Sequence, residues 1–520
     1  MGTSHSSSNV FSDVSLFRSF NDGLVAAPPS GPYTSTQVDY CDNPENFNDD
    51  PRAHSAAFRW DIIKRLTHNP VDFVNKFYWY AKLNVAALLS VLPVDDECRC
   101  KFARVGDTIR DADRDQSCTL VRPLGPKGVA GVPYVARCTT TSDSFIVKES
   151  RTLEPPTMFI TRGSSVLKKM SVGYTKMLAL GCSPELPHYV ISSPEYVNET
   201  LIGYALEYIM NPPVGHSLQY VVLDPVPFRS HCYVQQYDAF VCKSKAFNVM
   251  ELAGLGDLSE FVVKYGAGAA SEAAAYSEFG VTPPEVLLNV CQQLVGSLCY
   301  LQKWHGFSHS DLKVKNVFCK RLATDRDKHV LEFGDVRIAN LGFACALADY
   351  GKCSISLKSD AGNRFVRLHT EHRSAKLLLR TLFKFNPELT MDPKTNRASF
   401  RFNDSTHLLT LRLFFMGIGT YVSLDTYAVI ASLMGVDPRV TRVMGNHPVI
   451  RQMLRVMWPN DDVVERALRG FRKTPDLKKR LGIHYAYNFL KGTDMQCDAT
   501  ERAWLAVNGA ADAPSPPLTA

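Results

Sequence analysis

Apolar residues recur at helical spacing between Ala57 and Leu92, as Phe58, Trp60, Ile63 and Leu66 and then Phe73, Phe77, Tyr80 and Leu83, which predicts a helical N-terminal extension. An aromatic stripe of this kind reads first as packing against a larger body; docking of a partner on the extension is the alternative. From Cys118 the period changes. Thr119 to Leu124, Val132 to Cys138 and Ser144 to Val147 form short strand-like runs separated by Gly, Thr, Ser and Asp, the pattern of a small antiparallel sheet. Thr282-Pro283-Pro284-Glu285 reads as a capping box with Pro at the first helical position. Leu287, Val290, Cys291, Leu294, Leu298 and Leu301 then carry a helical stripe. Residues 1–56, which include Pro28-Pro29-Ser30-Gly31-Pro32, show little periodicity and are expected to be a disordered arm. Asn508 to Ala520 read as a loose tail.

Composition narrows the class. A chain of 520 residues, 45% hydrophobic and 21% charged, can bury a large core and exceeds one ordinary domain. The net charge of +6 is spread over 58 basic and 52 acidic residues without a basic block, so nucleic acid is not an expected partner. Fourteen cysteines include no C-x-x-C, and Cys98 and Cys100 have no second pair to complete a zinc site. Scattered thiols of this kind imply a reducing, intracellular setting, cytoplasm or nucleus. Asp13 and Arg18 interrupt any leader-like apolar run, and Leu83 to Val94 is short of the ~20 residues a bilayer span needs, so a soluble protein is expected.

The chemistry concentrates in Phe307-Ser308-His309-Ser310-Asp311-Leu312-Lys313-Val314-Lys315-Asn316-Val317-Phe318-Cys319. This run resembles the catalytic loop of eukaryotic-type protein kinases, H-R-D-L-K-x-x-N followed by apolar residues. The resemblance implies that Asp311 orients a substrate hydroxyl and accepts its proton, that Lys313 neutralises charge on the transferred phosphoryl, and that Asn316 holds a metal ion.

The resemblance extends upstream. Leu124-Gly125-Pro126-Lys127-Gly128-Val129-Ala130-Gly131-Val132 resembles the Gly-rich loop, whose backbone N–H groups approach phosphates, although the spacing departs by one residue and Pro126 removes a donor. Leu124, Gly125, Gly128, Gly131 and Val132 would then border the nucleotide. Ser144 to Lys148 resembles the V-A-I-K strand, placing Lys148 on the α- and β-phosphates. Phe247 to Leu258 resembles the hinge, with Met250 behind the adenine, the backbone of Glu251 and Ala253 on its edge, and Asp257 near the ribose. Downstream, Leu424-Asp425-Thr426 resembles the helix whose Asp ties down the catalytic loop, a helix cap being the plainer role for Asp425.

Three departures bear on activity. Gly334 to Ala344 resembles the strand that ends in D-F-G, but Asn340 stands where the metal-binding Asp belongs; Glu332-Phe333-Gly334 is the rival alignment. Pro155 to Pro184 holds no Asp or Glu, although Val166 to Leu180 reads as a helix, so Lys148 is expected to lack the usual glutamate partner, with Glu149, Glu154 and Glu185 as the remaining options. Ser310 replaces the Arg that anchors a phosphorylated activation loop, so activity is expected not to depend on such phosphorylation. Arg373 to Leu378, with Lys376, stands where the family has A-P-E.

The resemblance implies an α+β, two-lobed protein kinase fold: an arm at 1–56, a helical extension at 57–117, a β-rich N-lobe at 118–250, a larger helical C-lobe at 251–490 and a tail at 491–520. It implies transfer of the γ-phosphoryl of ATP to Ser or Thr of protein substrates, with Mg²⁺ or Mn²⁺ on Asn316 and Asn340; the short apolar runs predict no membrane span. A pseudokinase scaffold is the alternative, and a small-molecule kinase a third reading. The irregular Gly-rich loop, the missing Arg and the divergent activation segment resemble the kinases of large DNA viruses, herpesviruses included, which would put the protein in a host cell.

Overall fold

In the computed structural model the described residues are 51–74, 105–106, 108–111, 116–124, 131–138, 144–151, 158–162, 188–210, 232–242, 245–322, 329–333, 336–358, 365–370, 388–392, 397–401, 423–459, 494–496 and 498–508. Helix α1 spans Pro51–His68, so it starts inside the expected arm. Ile62, Ile63 and Leu66 are buried, as is Phe73 beyond the helix. Phe77, Tyr80 and Leu83 lie outside the described residues. Next along the chain come β1 (Thr108–Asp111), β2 (Gln116–Pro123), β3 (Gly131–Cys138), β4 (Ser144–Arg151), β5 (Phe159–Arg162) and β6 (Tyr189–Ser193). Helix α2 (Glu195–Met210) and strands β7 (Gln236–Cys242) and β8 (Lys245–Glu251) follow.

Six of these strands form an antiparallel sheet in the order β1-β2-β3-β4-β8-β7. The extension is therefore not wholly helical, because Ile109 and its neighbours supply the edge strand β1. On the inner strand β4, Ile146 and Val147 are both buried, as suits a strand with partners on both sides. The expected helix at 166–180 lies outside the described residues.

The second part is mostly helical. It holds α3 (Leu258–Tyr265), α4 (Glu272–Phe279) and α5 (Pro283–His305), then β9 (Val317–Arg321), β10 (His329–Phe333), β11 (Val336–Ala339), β12 (Phe343–Leu347), β13 (Ile355–Lys358), β14 (Phe365–Thr370), β15 (Glu388–Asp392) and β16 (Arg397–Arg401). Last come α6 (Leu424–Met434), α7 (Pro438–Asn446), α8 (Pro448–Met457), β17 (Asp494–Gln496) and α9 (Ala499–Val507). Helix α5 carries the expected capping box between Thr282 and Glu285, and Gly306 ends it in the left-handed region at φ 52°. Its face buries Leu287, Val290, Leu294 and Leu298 in the main core. The packed body continues past residue 490: Trp504 of α9 is 1% exposed, and α9 packs on α5 and α8.

Strand β12 pairs antiparallel with β9, and the β10–β11 hairpin is inserted between them in sequence. Strand β14 pairs in parallel with β6, directly before α2, in a sheet ordered β13-β14-β6-β5. The architecture is α+β, a sheet-rich part joined to a helical part. Among the described residues no helix is long and apolar enough to cross a membrane.

Candidate functional site

Gly306 turns the chain out of α5 into the segment that carries Asp311. Two carboxylate bonds fix this segment: Asp425 at the start of α6 accepts from the backbone N–H of His309 at 2.6 Å and of Ser310 at 3.0 Å. Ser310 adopts φ 63°, a conformation that costs a non-glycine residue about 1–3 kcal/mol and that clusters at functional sites. Asn316 donates its Nδ2 to the Asp311 carbonyl at 2.8 Å, which leaves its amide oxygen as the end available to a ligand. Lys313 lies 3.3 Å and Lys352 3.1 Å from Asp311 Oδ2, so two ammonium groups flank this carboxylate. Burial would lower the Lys352 pKa, but Asp311 and Glu195 hold it above its ordinary value.

The second half of the site centres on Lys148. From β4 its Nζ donates to both oxygens of Glu199 at 2.7 and 3.0 Å and to Asp349 Oδ1 at 2.8 Å. Burial pulls the Lys148 pKa down, yet Asp349 and Glu199 outweigh it and hold the ammonium above its ordinary value. Two carboxylates share one cation, and their environments separate them. Asp349, with 39% of its side chain exposed, is held below the usual carboxylate range by Lys148. Glu199, 4% exposed, is pushed up by burial against the pull of Lys148.

Helix α2 supplies more than Glu199. Asn198 donates to the carbonyls of Tyr350, Gly351 and Cys353, pinning the turn that follows Asp349. A Cβ on Gly351 would come within 2.5 Å of Glu195 Cγ, so only glycine lets this turn approach α2 so closely. Asp349 adopts φ 62°; it and Ser310 are the non-glycine residues with positive φ among those described. Both strained positions therefore lie in this one site. The halves meet where Ala348 N donates to the Asn316 carbonyl at 3.0 Å and the His309 ring bonds Ala348 O at 2.7 Å.

Asn340 is not here. It lies at the far end of the β9–β12 ladder, which runs from Phe343 opposite Arg321 to Leu347 opposite Val317, at least about 13 Å from Asn316 by strand rise. Its side chain is buried and its Oδ1 accepts from Gly342 N, a local turn. Glu332 sits in the β10–β11 hairpin opposite Arg337. The aspartate at the site is Asp349, in Asp349-Tyr350-Gly351. The expected lack of a glutamate for Lys148 is likewise corrected: Glu199 fills that place, from a helix beyond the acid-free window. An aromatic between Asp and Gly after β12 was the signal available for the first, and Glu199 within the apolar helical run 195–210 for the second.

Of the remaining expected residues, Leu124 and Val132 lie at the facing ends of β2 and β3, Gly131 opens β3, and Gly125 and Gly128 fall outside the described residues. Met250 and Glu251 end β8, beside Ile146 and Phe145 of β4. Glu251 is not free: Lys320 Nζ lies 2.5 Å from its carboxylate, which also accepts from Gln235 N. The chain through Ala253 then docks on β9, Leu255 N donating to Cys319 O and Cys319 N to Gly256 O. Asp257 caps α3 through Glu260 N and accepts from Lys315 at 3.0 Å, tying this linker to the Asp311 segment.

Burial lowers the His309 pKa below its ordinary 6.5, so the ring is neutral at pH 7. The unfolded chain binds the extra proton first as pH falls. Stability contributed by the neutral ring is thus complete above about 6.5 and is lost as pH drops toward the lower folded value. We expect the melting temperature to decline between pH 7 and 5, and the slope to flatten in His309→Phe; equal slopes in thermal melts would contradict this. Burial pushes the Cys299 thiol up to about 12, which leaves it unreactive near pH 7.

No protein-family model matches the sequence, and no curated protein matches it. Among solved structures the chain is similar to the BubR1 kinase domain, with a TM-score of 0.28 and 12% identity over 72% of this chain and 89% of that one.

Proposed function

We propose that the chain is a protein kinase that transfers the γ-phosphoryl of ATP to Ser or Thr hydroxyls of protein substrates. The observation that carries this reading is Lys148 held between Glu199 and Asp349, beside the segment that bears Asp311, Lys313 and Asn316. In this reading Lys148 binds the α- and β-phosphates, and Glu199 keeps its ammonium charged and aimed. Asp311 accepts the hydroxyl proton while Lys313 faces charge building on the transferred group.

The residues fit a hard divalent cation. Asp349 keeps Oδ2 while Oδ1 is taken by Lys148, and Asn316 presents its amide oxygen. Two protein oxygens suit magnesium, which takes its other ligands from water and substrate phosphates. When bound, the ion would neutralise charge on the phosphate oxygens. The pseudokinase alternative rests on two missing carboxylates, and Glu199 and Asp349 fill both roles in this reading.

The test is phosphate transfer from γ-labelled ATP to a generic basic protein, with Mg²⁺ and then Mn²⁺, for the wild-type chain and Asp311→Asn. Transfer that disappears in Asp311→Asn supports the reading; no transfer from folded wild-type protein with either metal overturns it. Phosphatase treatment should leave that transfer unchanged. Arg367 of β14 bonds Ser354 Oγ at 2.7 Å, Ser356 Oγ at 2.9 Å and Gly306 O at 3.2 Å, anchoring the segment after Asp349 without a phosphate. A treated sample that fell silent would contradict this.

A further inference from the structure

Glu199 can serve Lys148 only if α2 keeps its present position, and one contact to α2 comes from outside both halves of the site. Arg59 of α1 is 1% exposed and forks onto Glu207 of α2, itself 1% exposed: Nε donates to one carboxylate oxygen and Nη2 to the other at 2.6 Å. The same guanidinium donates through Nη1 to Tyr237 O of β7 at 3.1 Å, and Gln235 Nε2 donates to Glu207 at 2.8 Å. Burial would lower the Arg59 pKa, but the hydrogen bonds and charge of Glu207 hold it above its ordinary value. Glu207 lies two helical turns beyond Glu199 on one continuous helix. Ile62, Ile63 and Leu66, in the same core as Tyr204, Ala205 and Ile209, make the contact apolar around the charged fork.

We infer that α1 is a built-in brace, and that Arg59 is a positioning residue which, through Glu207, holds α2 where Glu199 reaches Lys148. The inference rests on the kinase reading for its catalytic consequence, not for its structural one. A bidentate fork fixes the orientation of α2 as well as its distance, which a lysine cannot reproduce. The device makes the position of α2 depend on a segment N-terminal to the sheet.

The test compares full-length wild type, Arg59→Ala, Arg59→Lys and the doubly neutral Arg59→Met/Glu207→Met, which leaves no buried charge unpaired. Each is read by kcat and KM for ATP and by hydrogen exchange across the chain. We expect Arg59→Ala to lose at least about tenfold in kcat/KM for ATP. Exchange should rise in residues 195–210 while 283–305 and 448–457 keep wild-type protection. Arg59→Lys should recover part of both, and the double variant should fold while exchanging faster in 195–210. Wild-type kinetics and wild-type exchange in 195–210 for folded Arg59→Ala would overturn the brace, as would loss of protection spread evenly over all helices in every variant. A wild-type chain without phosphate transfer would sink the kinase reading instead, and the exchange comparison alone would then decide the brace.

Discussion

If the kinase reading holds, Asp349→Ala should lower phosphate transfer by about 10³-fold or more, the same order as Asp311→Asn, because it removes the carboxylate that would hold the charge-neutralising cation and a partner of Lys148, together worth on the order of 4 kcal/mol of barrier. Asn340→Ala should instead remain within about threefold of wild type in protein shown to be folded. The two positions are nine residues apart in sequence, yet they occupy opposite ends of the β9–β12 ladder, and only Asp349 touches Lys148. The Asn340 amide oxygen accepts a hydrogen bond in its own turn, so its loss should bear on stability rather than on the chemistry. The check is a steady-state comparison at saturating Mg²⁺ and again at limiting Mg²⁺. The metal dependence should steepen for Asp349→Asn, which keeps an oxygen but no charge, and not for Asn340→Ala. A collapse of activity in Asn340→Ala with Asp349→Ala intact would reverse the assignment.

The residues that were legible in the sequence are those whose roles are local. The segment from Phe307 to Cys319 carries its groups at short fixed offsets, and the capping box at Thr282 and Glu285 is a four-residue contact, so neither needs long-range information. The strands β2, β3 and β4 follow from their composition. Asp349 and Glu199 were missed because their roles are set by distant pairings. The β10–β11 hairpin inserts a second strand–turn–strand ahead of β12, and Val336 to Gly342, its second strand and the turn after it, fits the expected flanks better than Asp349-Tyr350-Gly351 does. Glu199 lies in a helix so apolar that its other faces are nearly all buried, and 51 residues separate it from Lys148, more than a fixed-offset reading spans. The edge strand β1 and the late helix α9 were missed for the same reason: Ile109 needs Cys118 opposite it, and Trp504 needs α5 and α8.

The largest loss of stability is expected at Asp425, at the start of α6. Its carboxylate is 1% exposed and accepts the N–H groups of two successive residues, one of them Ser310 in the left-handed region. Each bond to a charged acceptor contributes roughly 1.5–3 kcal/mol, and these two hold the backbone N–H groups of the strained Ser310 turn itself. Asp425→Ala should therefore cost about 3–5 kcal/mol in denaturant unfolding, and at a temperature where the variant is still folded it should lower kcat by at least about 100-fold. The second effect follows from the first by geometry: with the turn released, Ser310 relaxes to ordinary backbone angles and the Asp311 that follows it loses its fixed relation to Asn316 and Lys313. Asp425→Asn keeps one acceptor oxygen but turns an N–H₂ toward the second backbone donor, so it should fall between the two. The stability loss alone, with kcat preserved in the folded variant, would mean that Asp425 is a cap for α6 and nothing more. Loss of both, with KM for ATP little changed, would tie the strained turn to the orientation of Asp311, since the nucleotide in this reading is held by Lys148 and the linker at Glu251 to Asp257 rather than by that turn.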